Sequence, residues 1–229
     1  MSALLAVTAP DRAFLMADAA VYDRNGVLTD IRSKTVLLPH MKAAGSCRGN
    51  LLPLALMSTA LEDFANWDAF RPNAPAVFQA MDLLMSAVVP GRFYEFCLVG
   101  WSDDRGRAEV VFHATHPQIP PGFNVGGPTL ITDCLIPRGP GLEELFEIEP
   151  AVFDPVANGL PAFDVAHRTP ADLHCGQEPD PLMAYSVGGF VQCVTITPDG
   201  IRSEILREWP DEVGRPIEPH KEAVRCLAA

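Results

Sequence analysis

Ser2, Asp18 and Lys34 recur at sixteen-residue intervals within sequence that reads as short strands, and this opening constrains the fold more than any other stretch of the chain. Ser2-Ala-Leu-Leu-Ala-Val-Thr8 and Ala13-Phe-Leu-Met-Ala-Asp18 are apolar runs that meet at Asp11-Arg12. Val21 to Val27 follows around Asn25-Gly26, a strong hairpin signal. Lys34-Thr-Val-Leu-Leu38 and Lys42-Ala-Ala-Gly45 continue as a further apolar hairpin around Pro39-His40. In antiparallel order the start of one strand lies beside the end of its neighbour, so this pattern predicts that Ser2, Asp18 and Lys34 share one end of the sheets.

Those three residue types suit nucleophilic catalysis. Ser2 is small enough for Met1 to be stripped, which leaves a serine carrying both a hydroxyl and a free α-amine. An α-amine titrates near about 8, so part of it is unprotonated at neutrality and takes the proton from its own hydroxyl, directly or through a water. An ammonium such as Lys34 lowers that amine's pKa by like-charge repulsion, and a carboxylate such as Asp18 holds the lysine in place. The plain counterparts are a serine that merely permits processing, a turn aspartate and a solvated lysine.

The arrangement resembles the β subunits of proteasomes and of the bacterial two-component protease ring, which are N-terminal-nucleophile hydrolases. Their pattern is a nucleophile, a strand ending in Ala-Asp and a lysine opening a later strand. Ser2, Ala17-Asp18 and Lys34 stand at the matching offsets, with serine in place of the usual threonine. The resemblance implies an α+β fold, a four-layer α/β/β/α sandwich of two facing antiparallel sheets. It further implies hydrolysis of amide or peptide bonds through an acyl-enzyme on Ser2, with a peptide or small amide as substrate and no cofactor or metal. The 44–49 stretch looks like the family's glycine turn, and the resemblance makes Gly45 and Gly49 its donors to the oxyanion. It also implies a homo-oligomer, with Trp67, Phe70, Phe78 and Trp209 as candidates for apolar outer surfaces.

Beyond the opening, the order strand, strand, helix, helix, strand is expected. Asn50 is a candidate N-cap, Pro53 fits a first turn, and Leu54, Met57, Leu61 and Phe64 recur at helical spacing. A second helix is expected over 74–88, burying Val77, Met81, Leu84 and Val88, with Pro90-Gly91 as its stop. Strand pairs are expected at 94–100 with 108–114 and at 185–196 with 201–206. The whole chain, 1–229, reads as one domain with an irregular Pro-rich insertion at about 117–181 and a tail from about 209. The family's Gly-Ser-Gly is absent from that middle region, and Asp164 or Asp172 is a stand-in for its downstream aspartate. A catalytically silent subunit of the same fold is therefore the alternative.

A net charge of −12 argues against nucleic acid or an anionic membrane as a partner, because phosphate binding needs concentrated Lys and Arg. No apolar run reaches membrane-spanning length and the N-terminus has no signal-peptide layout, which together read as cytoplasmic. Cys47, Cys97, Cys134, Cys175, Cys193 and Cys226 lack CxxC spacing and read as reduced thiols. Three weaker constellations remain: His113 with His116, the group His167, His174 and Cys175, and Cys47 beside Arg48 as an internal nucleophile.

Overall fold

The computed structural model describes residues 2–91, 93–116, 123–124, 126–174 and 179–219. Met1, Cys175 and Cys226 therefore lie outside the described residues, as does the end of the expected tail. The strands are β1 (Leu4–Thr8), β2 (Ala13–Asp18), β3 (Ala20–Tyr22), β4 (Leu28–Ile31), β5 (Thr35–Leu38), β6 (Ala43–Gly49), β7 (Tyr94–Ser102), β8 (Arg107–Ala114), β9 (Thr129–Ile131), β10 (Leu135–Arg138), β11 (Ala171–Asp172), β12 (Met183–Ala184), β13 (Phe190–Thr197) and β14 (Gly200–Glu208). The helices are α1 (Leu52–Glu62), α2 (Trp67–Phe70), α3 (Ala74–Val88) and α4 (Leu160–Arg168). The architecture is mixed α+β: two five-stranded antiparallel sheets, ordered β10-β1-β2-β13-β14 and β5-β6-β7-β8-β9, with two small two-stranded sheets beside them.

Why the central strands read as mostly apolar runs follows from their burial. Every residue of β1, β2 and β7 is buried, so side chains pointing to either face need apolar surroundings. On β1, Leu4 and Ala6 join one apolar cluster with Leu15 of β2, Cys97 and Val99 of β7 and Val194 of β13, while Leu5 and Val7 join another with Phe163 of α4. The first of these clusters draws on both five-stranded sheets. A third cluster packs Met57 and Leu61 of α1 and Phe78, Met81 and Met85 of α3 against Phe96 and Leu98 of β7.

Several expectations are corrected. The 43–49 stretch is strand β6, paired on both sides, and not a turn. Helix α3 has the expected span but presents Ala74, Phe78, Met81 and Met85 to the sheet, leaving Leu84 and Val88 exposed. The helix carries two adjacent apolar stripes at the same spacing, and the one bearing Phe78 and two methionines supplies more adaptable surface. Trp67, Phe70, Phe78 and Trp209 are buried, so they are core residues and not outer contacts. The Pro-rich middle is not a mere insertion: β9 extends one main sheet and β10 the other, where Pro137 is tolerated because β10 is an edge strand.

Candidate functional site

The site is built where β1 begins, β2 ends and the chain enters β5. Leu4 lies opposite Ala17, which sets Asp18 beside the residues preceding β1. Lys34 immediately precedes Thr35, which lies opposite Ser46. Ser46 Oγ donates to the Lys34 carbonyl at 2.9 Å, fixing the lysine backbone. From there the Lys34 ammonium donates to Ser2 Oγ at 2.8 Å and to Asp18 Oδ2 at 3.0 Å. All three are enclosed, with relative exposures of 6%, 1% and 2% for Ser2, Asp18 and Lys34.

Buried charges require partners, and these have them. Asp18 Oδ1 accepts from the Ala3 amide at 2.9 Å, while Oδ2 accepts from the amides of Ala20 at 3.1 Å and Gly188 at 3.3 Å. The carboxylate is thus anchored by the residue preceding β1, by β3 and by the loop before β13. Burial lowers the Lys34 pKa from the ordinary lysine value; Asp18 opposes the shift and Arg48 adds to it. A lysine so placed stabilises an alkoxide as a cation and, once neutral, accepts the serine proton.

A second buried cluster adjoins the first. Arg48 Nε donates to the Ser2 carbonyl oxygen at 2.6 Å and its Nη1 to Glu95 Oε2 at 2.5 Å. Arg138 Nε donates to the same Glu95 oxygen at 3.0 Å, and its Nη2 bonds the other. Burial alone would raise the Glu95 pKa, but Arg48 and Arg138 outweigh it and hold the carboxyl at about 2. In the 185–189 loop that supplies the Gly188 amide, the buried Ser186 hydroxyl has no hydrogen-bond partner among the described residues. Glu95, Arg138 and Gly188 were not anticipated from the sequence, and Arg48 was singled out only as the neighbour of Cys47. The available signal was a charge inside an otherwise apolar strand, as at Arg48 and Glu95.

The remaining candidates resolve differently. Gly45 lies within β6, where a Cβ would come 2.9 Å from the Phe96 ring, so its side-chain-free backbone is explained by packing and not by a turn. Gly49 ends β6 at φ +84°, and a Cβ there would meet the Phe93 carbonyl at 2.6 Å. Cys47 is buried, its Sγ contacts the Asn50 carbonyl, and burial followed by Glu95 pushes its thiol pKa far above the ordinary value, which removes it as a nucleophile. His113 bonds Asp82 at 3.0 Å, whereas His116 packs on Phe93. His167 stacks on Trp209 and faces Asp211 at 3.5 Å, while His174 Nε2 lies 3.4 Å from the Arg24 carbonyl. No group of three potential metal-ligating His, Cys, Asp or Glu residues occurs among the described residues. Asp164 is engaged by Arg207, and Asp172 accepts from the amides of His174 and Leu182. No protein-family model and no curated protein matches the sequence.

Proposed function

We propose that the chain is an N-terminal-nucleophile hydrolase of proteasome β-subunit type, cleaving amide or peptide bonds through an acyl-enzyme on Ser2. The observation that carries this reading is the enclosed contact of Lys34 Nζ with Ser2 Oγ at 2.8 Å and Asp18 at 3.0 Å. In this reading the peptide bond preceding Ser2 is removed, the freed α-amine accepts the hydroxyl proton, and the buried Lys34 keeps that amine's pKa low. In this reading the two sheets, with α1 and α3 packed on one and α4 on the other, are the layers of the family's four-layer α/β/β/α sandwich, and homo-oligomers follow from the same resemblance. Gly45 and Gly49 stand here only as the oxyanion donors that the resemblance implies.

A β-lactone tests it. The Ser2 hydroxyl oxygen attacks the lactone carbonyl, the ring C–O bond breaks, and the serine proton ends on the released ring oxygen, so the adduct adds the whole lactone mass. Intact-mass and peptide mapping should place one adduct on an N-terminal Ser2. Lys34→Met should lower the labelling rate more than about 100-fold, as loss of an electrostatic stabiliser does. Quantitative retention of Met1, or labelling elsewhere, would sink the hydrolase reading. A silent subunit of the same fold is the second reading, favoured by the lack of Gly-Ser-Gly in the sequence, and it expects a folded protein without labelling.

A further inference from the structure

The Ser2 carbonyl and the Ala3 amide belong to one peptide plane, and that plane is gripped on both edges. Arg48 Nε donates to the carbonyl oxygen at 2.6 Å, and Asp18 Oδ1 accepts from the amide at 2.9 Å. With both edges held, the plane is fixed in place, so the hydroxyl is placed only by rotation about Ser2's own Cα–C and Cα–Cβ bonds, and its bond to Lys34 Nζ selects one position. We propose that Arg48 is a positioning residue for the nucleophile: its guanidinium fixes the Ser2 carbonyl so that the hydroxyl rests on Lys34, and Glu95 with Arg138 fixes Arg48 in turn. This rests on the hydrolase reading of the same site.

A purely structural role explains the cluster poorly. Exchanging a buried Arg–Glu–Arg group for packed apolar side chains is often neutral for stability or better, so burying Arg48 and Glu95 beside the partly buried Arg138 is not needed to join β6, β7 and β10. What apolar side chains cannot do is deliver a rigid, directional, permanently charged donor to a carbonyl oxygen. The supports are spread to suit that task. Arg48 lies opposite Glu95 on paired strands, and Arg138 lies opposite Leu4 on the strand that carries Ser2 toward the site. One carboxylate thereby ties both arginines to the start of β1. Arg48 also stands close enough to Lys34 to favour the neutral amine, a second consequence of the same placement.

The two effects separate experimentally. Arg48→Met removes fork and charge; Arg48→Lys keeps a charge but cannot hold the Ser2 carbonyl and Glu95 in one planar fork. With a β-lactone as probe, both variants should label to the same final stoichiometry as the native sequence but about 10- to 100-fold more slowly, as expected for a misplaced nucleophile. In Arg48→Met alone the acidic limb of the rate profile should move to higher pH, because a neighbouring positive charge is gone. Hydrogen exchange of the Ala3 amide should quicken in both variants relative to amides in β7. Native labelling rates and pH profile in both variants would overturn the proposal. Should the unsubstituted protein itself take no label, the hydrolase reading fails, and Ala3 exchange alone judges Arg48: unchanged exchange overturns its role and faster exchange upholds it. If Arg48→Met does not fold, as checked by circular dichroism, Arg48→Lys decides by rate and exchange.

Discussion

Glu95 shows how a single residue connects stability to the site. Its carboxyl is held at about 2 by Arg48 and Arg138 against the opposing effect of burial, whereas in an unfolded chain it titrates near about 4.3. A depressed carboxyl contributes stability that is fully present above the unfolded value and is lost as pH falls through the folded one. The window is therefore from about pH 4.5 down to about 2, and the contribution is on the order of 3 kcal/mol. Denaturant melts across that window should show Glu95→Gln losing stability at neutral pH, with a flatter acid dependence than the native sequence. A parallel acid dependence in the two proteins would mean that the carboxylate is not held by its arginines. At this scale the sequence revealed Ser2, Asp18 and Lys34 because their offsets follow hairpin spacing. It concealed Arg48 and Glu95 because a buried ion cluster requires partners from β6, β7 and β10, and nothing local in any one strand announces the other two.

Helix α3 illustrates what an element's own sequence can and cannot specify. Its span was legible from apolar spacing and from Pro90-Gly91, but its orientation about its axis was not, because Val77, Leu84 and Val88 offered a rival stripe. Orientation is decided by the partner surface: Phe78 meets Phe96 edge-on at 6.0 Å and stacks near His113, whose ring nitrogen reaches Asp82 on the same helix. Met85→Ala should accordingly cost about 2–4 kcal/mol by leaving a cavity, whereas Val88→Ala should change stability by less than about 0.5 kcal/mol. Equal costs in thermal or urea melts would place the buried stripe elsewhere. The strands were legible for a simpler reason. Burial on both faces makes β1, β2 and β7 mostly apolar runs that need no knowledge of a partner. Strands β9 and β10 were hidden because short, Pro-containing edge strands have too little pattern to stand out from a loop.

Across the whole molecule, exposed large apolar side chains occur on the outer face of α3, through the 143–168 region and singly on strands and loops, as at Leu37, Met183 and Ile205. Leu83, Leu84 and Val88 of α3 are 69%, 51% and 62% exposed, and Phe146, Val152, Val156 and Val165 are exposed in the 143–168 region. Against these stands a net charge of −12, which makes copies of the chain repel one another. The homo-oligomer proposed with the hydrolase reading therefore has to form through apolar contact in spite of charge, and that fixes the sign of its salt response. Screening weakens the repulsion while leaving apolar burial intact, so raising ionic strength should increase association. Light scattering at micromolar concentration should give a mass that is a multiple of 24.8 kDa, larger or more uniform in higher salt. Leu84→Glu with Val88→Glu should return it toward a single chain without unfolding, since neither side chain belongs to a buried cluster. A mass near 24.8 kDa at every salt concentration would remove the oligomer and leave these residues as ordinary exposed surface. Association that weakens with salt would instead mean that ion pairs, and not the outer face of α3, hold the copies together.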